Sequence, residues 1–222
     1  VKRPLVESPD PVTLVGGGAF TARDLQMALQ RASVIVAADS GADRVLAAGR
    51  MPAAVIGDFD SISPDARAAI PADRLHPIAE QETTDFDKAL RMIAAPFVIA
   101  VGFTGARIDH GLAVFNALVR HAGQRCLVLG SQDVVFASPP HLQLLLTSGD
   151  RVSLFPMGPV RGESAGLEWP IAGIDFAPGG TIGTSNRALG TEVLLQFDRP
   201  GMLVILPRRR LDAAIRAVCA EV

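Results

Sequence analysis

Up to about Phe136 the apolar residues fall in short unbroken runs separated by stretches with helical spacing. TLVGG, VIVAAD, AAVIG, FVIAVGF and RCLVLG are short and rich in β-branched residues, which predicts strands. They do not alternate with polar residues, so their sheet is expected to be covered on both faces. Between them, a stretch opening at Thr21 with Asp24 three residues on has a capping-box signature and predicts a helix to near Ala32. DRVLAAG predicts a short helix, and TTDFDKALRMIAA and DHGLAVFNALVRHAG predict two more. Strands and helices taken in turn imply a mostly parallel sheet.

Beyond Phe136 the helical spacing largely stops. Ser138-Pro139-Pro140 reads as a connector. HLQLLLT, RVSLFPM, GLEWPIAGIDF, TEVLLQFD and GMLVILP follow, parted by SGD, MGP, PGG and DRPG turns, which predicts an antiparallel sandwich. LDAAIRAVCAEV predicts one closing helix. The expected fold is α/β: an N-terminal, Rossmann-like, mostly parallel sheet with flanking helices over residues 1–136, then a smaller all-β sandwich domain over 137–222.

Composition changes this picture little. Of 222 residues, 49% are hydrophobic, ample for a core, and the formal net charge of −2 gives no reason to expect nucleic acid. Arg208-Arg209-Arg210 is read as a solvated edge. Cys126, inside RCLVLG, and Cys219 have no metal-type or disulfide-framework spacing, so buried thiols in a reducing, cytoplasmic setting are expected. No run approaches the roughly 18 to 20 apolar residues of a membrane span, and VKRPLVESPDP does not read as a signal peptide.

The chemistry is expected where strands of an open parallel sheet end and their loops turn into helices. Gly16-Gly17-Gly18 follows the first strand, Asp39-Ser40-Gly41 the second and Gly57-Asp58-Phe59-Asp60-Ser61 the third. Thr84-Asp85 opens a helix, and Thr104-Gly105-Ala106-Arg107-Ile108-Asp109-His110 follows a later strand. Alternate residues of an extended turn point apart, yet a loop at a strand end can turn Asp58 and Asp60 toward one cation. With Asp85 they would make an oxygen-only site suited to Mg²⁺, which retains waters and substrate phosphates as its other ligands. Arg107 can reach a phosphate with two parallel hydrogen bonds. Together with the glycine-rich backbone at Gly16, Gly17 and Gly105 and with Ser40, this points to phosphoryl-type transfer from a bound nucleotide. Trp169, in GLEWPI, is read as β-domain core.

The order ADSGADRVLAAGRMPAAVIGDFDSIS, TTDFDKAL, GFTGARIDHGLAVFNAL, GLEWPI and TSN resembles the thiamin pyrophosphokinase family. The resemblance implies transfer of a pyrophosphoryl group from ATP to the thiamin hydroxyl with Mg²⁺, releasing AMP. It also implies a homodimer whose active sites are shared between the α/β domain of one subunit and the β domain of the other. Carried over by position, Asp58, Asp60 and Asp85 match the family's acidic metal positions. Asp39 matches the acidic residue after its second strand, and Arg107 and Asp109 match its R-x-D pair. Ser185 and Asn186 match its late serine-asparagine pair on the thiamin side. Two departures stand out: Ala106 where the family often has a second glycine, and Arg187 rather than an aromatic after the asparagine. Either Asp39 or Asp109 would handle the acceptor's proton. Alternatives are pyrophosphoryl transfer to a pterin alcohol, a nucleotide-sugar glycosyltransferase and a non-catalytic nucleotide or thiamin sensor.

Overall fold

The structure, a computed structural model, describes residues 3–105 and 107–220; the departure at Ala106 lies outside the described residues. The chain divides into two compact units, 1–117 and 118–222, with α/β architecture and both parallel and antiparallel strands.

The first unit runs β1 (Val6–Glu7), β2 (Val12–Val15), α1 (Ala22–Leu29), β3 (Val34–Ala38), α2 (Gly41–Ala47) and β4 (Ala54–Gly57). It continues through α3 (Pro64–Ala69), β5 (Leu75–Pro77), α4 (Asp85–Arg91), β6 (Ile93–Ala94), β7 (Val98–Val101) and α5 (Ile108–Arg120). Its strands lie in the order β7-β2-β3-β4-β5, every neighbour parallel. All residues of β2, β4 and β7 are buried, as continuous apolar runs demand when both faces are covered. Because the strands are parallel, their carboxyl ends share one edge of the sheet. α1 begins with the expected reciprocal cap: the Thr21 N–H donates to Asp24 Oδ2 at 2.8 Å and the Asp24 N–H to Thr21 Oγ1 at 3.2 Å.

The second unit holds β8 (Cys126–Leu129), β9 (Asp133–Ala137), β10 (His141–Leu145), β11 (Arg151–Pro156), β12 (Gly162–Ala165), β13 (Gly183–Arg187), β14 (Glu192–Phe197), β15 (Met202–Pro207) and α6 (Leu211–Cys219). Its strands form two antiparallel sets, β13-β11-β15-β9-β8 and β10-β14-β12. In the second set Leu142 and Leu144 of β10 and Val193, Leu195 and Phe197 of β14 point inward, and the residues between them are exposed. This alternation marks a sheet with one wet face.

RCLVLG is the expected strand, and its successor β9 folds back on it, Leu127 pairing antiparallel with Phe136. Several sequence expectations need correction. The helix at TTDFDKALRMIAA stops at Arg91, because Ile93 and Ala94 leave it to pair with Val6 and Glu7. GLEWPIAGIDF is not a strand: it is turns and isolated bridges, Leu167 to Ala188 and Phe176 to Val160. β12 and β13, polar in sequence, are the strands that flank it. Cys126 is buried but Cys219 only partly so. Among the described residues no helix is long and apolar enough to cross a membrane.

The arginine run is also more than a solvated edge. Asp150, 2% exposed, pairs with Arg209 Nη2 at 2.6 Å and Arg210 Nε at 2.5 Å, and accepts the Thr147 N–H at 2.8 Å. Burial by itself would raise its pKa, but the Thr147 N–H and the two guanidiniums outweigh it and hold the carboxyl below its ordinary range. A folded pKa below the unfolded one adds stability above the unfolded value, and that stability is lost as pH falls toward the folded value. Asp150→Asn is expected to lower stability by about 2 kcal/mol at neutral pH in urea titrations. The gap from wild type should narrow as pH falls below about 4; a gap that stays constant would show that charge is not its source.

Candidate active site

At the shared edge of the parallel strands, the loops after β2, β3, β4 and β7 wall a cleft of about 390 Å³. Gly16, Gly17, Asp39, Ser40, Asp58, Asp60, Asp85, Gly105 and Arg107 all line it, whereas Asp109 does not. The loops approach so closely that side chains are excluded at several points. A Cβ on Gly57 would sit 2.9 Å from the Asp39 Cβ, and one on Gly41 only 2.0 Å from the Val15 carbonyl oxygen.

Backbone strain brings the acids together. Phe59 has φ +64° and Asp39 φ +44°, left-handed conformations that a bulky or charged L-residue adopts at a cost of roughly 1 kcal/mol or more. The reversal at Phe59 lets Asp58 and Asp60 converge where an extended turn would part them. Asp39, Asp58 and Asp60 offer oxygens that all lie within 4.8 Å of one another. Asp39 is 2% exposed; its Oδ2 accepts the Ser61 N–H at 3.3 Å, while its Oδ1 has no hydrogen-bond donor among the described residues. Burial, then the charge of Asp85 and the neighbouring Asp60 carboxylate, push the Asp39 pKa up to about 6 against the opposing Ser61 bond.

Lys88 carries the positive charge at the centre. Its ammonium donates to Asp58 Oδ2 at 2.7 Å and to Asp85 Oδ1 at 3.2 Å. Gln81 Nε2 also donates to Asp58 Oδ2, at 3.1 Å. The Lys88 bond is the main reason the Asp58 carboxyl titrates below its usual range. Burial raises the pKa of Asp85, with Lys88 opposing it. Burial also disfavours the Lys88 ammonium, but its two carboxylates outweigh that and raise its pKa. Sequence reading passed over Lys88. The available signal was a lysine three residues after Asp85, the spacing at which side chains meet on a helix.

Arg107 and Asp109 pair with each other. Nε donates to Oδ1 at 3.1 Å and Nη2 to Oδ2 at 2.6 Å, both side chains being exposed. The bond from Arg107 lowers the Asp109 pKa to about 2. Arg107 thus already holds a planar anion with the two-pronged grip that a phosphate would accept.

In the second unit, Ser185 is exposed at φ +65° and its N–H donates to Ser153 Oγ at 3.0 Å. Asn186 is buried: its Oδ1 accepts the N–H groups of Trp169 (3.1 Å) and Arg187 (2.8 Å), and its Nδ2 donates to the Trp169 carbonyl at 2.7 Å. The Asn186 amide therefore clamps the Trp169 backbone. Trp169 is not core: it is 52% exposed, with the Arg187 guanidinium 5.9 Å from its ring centre. An exposed aromatic ring thus stands on a separate loop fastened to that asparagine.

The acidic cluster fits a hard divalent cation on its own chemistry. The donors are all oxygen, three carboxylates converge, and one buried carboxylate oxygen lacks a donor. Asp85 is tied to the cluster through Lys88 and is not one of the three convergent acids.

The sequence profile described as thiamin pyrophosphokinase, catalytic domain, matches residues 25–129, and that described as thiamin pyrophosphokinase, vitamin B1 binding domain, matches residues 141–202. The chain is 27% identical over 191 residues to thiamine pyrophosphokinase 1 of Oryza sativa, covering 70% of this chain and 72% of that protein. It is 26% identical over 205 residues to thiamine pyrophosphokinase of Bacillus subtilis, covering 87% and 95%. The crystal structure of thiamin pyrophosphokinase from Geobacillus thermodenitrificans superposes with a TM-score of 0.71 over 89% of this chain and 96% of that one, at 24% identity.

A strained, buried carboxylate with an unpartnered oxygen opposes folding. Asp39→Asn removes the charge and keeps a residue that tolerates left-handed backbone, so the metal-free protein is expected to gain about 1 kcal/mol, read as a higher urea midpoint. A loss of stability would make Asp39 part of the scaffold.

Proposed function

The chain belongs to the thiamin pyrophosphokinase family, and we propose that it transfers a pyrophosphoryl group from ATP to thiamin, giving thiamin diphosphate and AMP. The observation that carries this reading is the cleft itself. Within the stretch matching the catalytic profile, three carboxylates converge at the strand ends beside a two-pronged arginine.

In the proposed reaction the thiamin hydroxyl oxygen bonds to the β-phosphorus of ATP. The bond from that phosphorus to the oxygen bridging the α- and β-phosphates breaks, and AMP leaves with the electron pair. Asp58 and Asp60, with Asp39 converging on them and Asp85 tied to Asp58 through Lys88, would hold Mg²⁺, which when bound would neutralise phosphate charge. Arg107 exchanges Asp109 for a phosphate oxygen pair, and Gly16, Gly17, Ser40 and Gly105 present backbone and hydroxyl groups to the nucleotide. Of the two candidate proton acceptors, Asp39 is favoured. It lines the cleft with an Oδ1 that meets no hydrogen-bond donor among the described residues, whereas Asp109 does not line the cleft. Trp169 offers an exposed ring for thiamin stacking, with Asn186 holding its backbone and Ser185 next to Asn186 in the chain.

The remaining parts of the reading are a Rossmann-like catalytic domain over 1–136, a β-sandwich over 137–222 for thiamin binding and dimerisation, and cytoplasmic residence. We also place the enzyme as a homodimer with shared active sites, without nucleic-acid or membrane partners.

Purified protein with Mg·ATP and thiamin should yield AMP and thiamin diphosphate in equal amounts. Asp58→Asn and Asp60→Asn should each slow turnover by about 10²-fold with circular dichroism unchanged. Stoichiometric ADP, preference for a pterin alcohol, or tight binding without turnover would each replace this reading with one of its rivals.

Trp169→Ala should raise KM for thiamin by roughly ten-fold, given about 1–3 kcal/mol for a stacked ring. Mixing it with Asp58→Asn under subunit exchange, at low thiamin, should restore up to about one quarter of wild-type activity for random pairing in a two-fold dimer. No recovery despite proven exchange would place both residues in one chain's site.

A further inference from the structure

We infer that Lys88 is a built-in counter-ion of the acidic cleft: it holds Asp58 and Asp85 in place before any cation arrives and keeps free Mg²⁺ weakly bound. The inference rests on the magnesium reading above.

A buried lysine ammonium is costly unless paired and hydrogen-bonded. Lys88 is 2% exposed and is paired twice, with Asp58 at 2.7 Å and Asp85 at 3.2 Å. Asp85 is on its own helix, three residues back, and Asp58 is on the loop after β4, so one charge joins two elements. The ammonium also selects oxygens. Lys88 and Gln81 both donate to Asp58 Oδ2, whereas among the described residues Oδ1 meets only the Asp60 N–H, at a weak 3.4 Å. Asp58 Oδ1 is thereby the less engaged oxygen of the carboxylate.

The electrostatic consequence follows from sign and distance. A fixed positive charge bonded to one ligand carboxylate repels a divalent cation at the other oxygen of the same group. It lowers affinity for the bare ion without removing a ligand. A cation arriving with nucleotide phosphates brings its own counter-charge and suffers less from that repulsion. The cleft is therefore tuned to take the metal–nucleotide complex in preference to the free metal. Lys88 acts through the aspartates, as a positioning residue.

Lys88→Met keeps a long apolar stem and deletes the charge; Lys88→Arg keeps the charge. Isothermal titration of nucleotide-free protein with MgCl₂ at constant ionic strength is expected to show roughly ten-fold tighter binding in Lys88→Met than in wild type, from loss of a charge a few ångströms away. Lys88→Arg should remain near wild type, and the extra affinity should appear as a larger Mg²⁺-induced rise in the melting temperature of Lys88→Met. Unchanged or weaker Mg²⁺ binding in Lys88→Met overturns the inference, as does a Lys88→Met protein that stays unfolded by circular dichroism with Mg²⁺ present. Refolding of an otherwise unfolded Lys88→Met by Mg²⁺ supports it. If wild type takes up Mg²⁺ neither alone nor with a non-hydrolysable ATP analogue, the metal seat itself fails, and this inference with it.

Discussion

Carboxylates gathered at one edge of a sheet repel one another, and the first unit is organised around containing that repulsion. Asp39, Asp58 and Asp60 converge within 4.8 Å, with Asp85 one ion pair away. Left to itself such a group would splay into water. It is held by a parallel sheet whose strands are buried end to end and whose loops leave no room for a side chain at Gly57 or Gly41. Positive φ at Asp39 and Phe59 is tolerated because that rigid frame over-determines it. The strain and the repulsion therefore belong to the site, and the stability that bears them lies in the buried strands beneath it.

The charges are also sorted by environment. Asp58 is drawn down by Lys88, Asp109 by Arg107, and Asp39 is pushed up by burial and by its acidic neighbours. Chemically similar carboxyls thus titrate in different ranges, two below the ordinary carboxylate value and one above it. Each shift follows from what surrounds the group. The same logic holds in the second unit, where Asn186 is useful because it is buried. Its amide fixes the backbone of an irregular loop and leaves the Trp169 ring standing exposed.

Much of this was legible in the chain. Unbroken runs such as AAVIG could satisfy their burial only in a sheet covered on both faces, and the Thr21–Asp24 spacing announced its own helix. The acidic loops stood out because charged residues directly after apolar runs must lie at strand ends. Other features were hidden. β12 and β13, GESA and GTSNR, have no apolar pattern; their pairing with β14 and β11 makes them strands. GLEWPI looked like core because apolar residues near strands usually are, but its turns carry Trp169 outward.

What the sequence by itself determined is whatever depends on neighbours along the chain: helix caps, strand runs, the GDFDS turn and the family to which the motifs belong. Tertiary structure decided everything that depends on distance across it. That Asp39 joins Asp58 and Asp60, that Lys88 reaches Asp58 thirty positions away in the sequence, and that Asp150 gathers arginines from the far end of its unit are outcomes of strand order and loop direction. The physical reason is that local preferences act over a few residues through backbone sterics and hydrogen bonding, whereas burial and Coulomb interactions depend only on where the fold brings groups together in space.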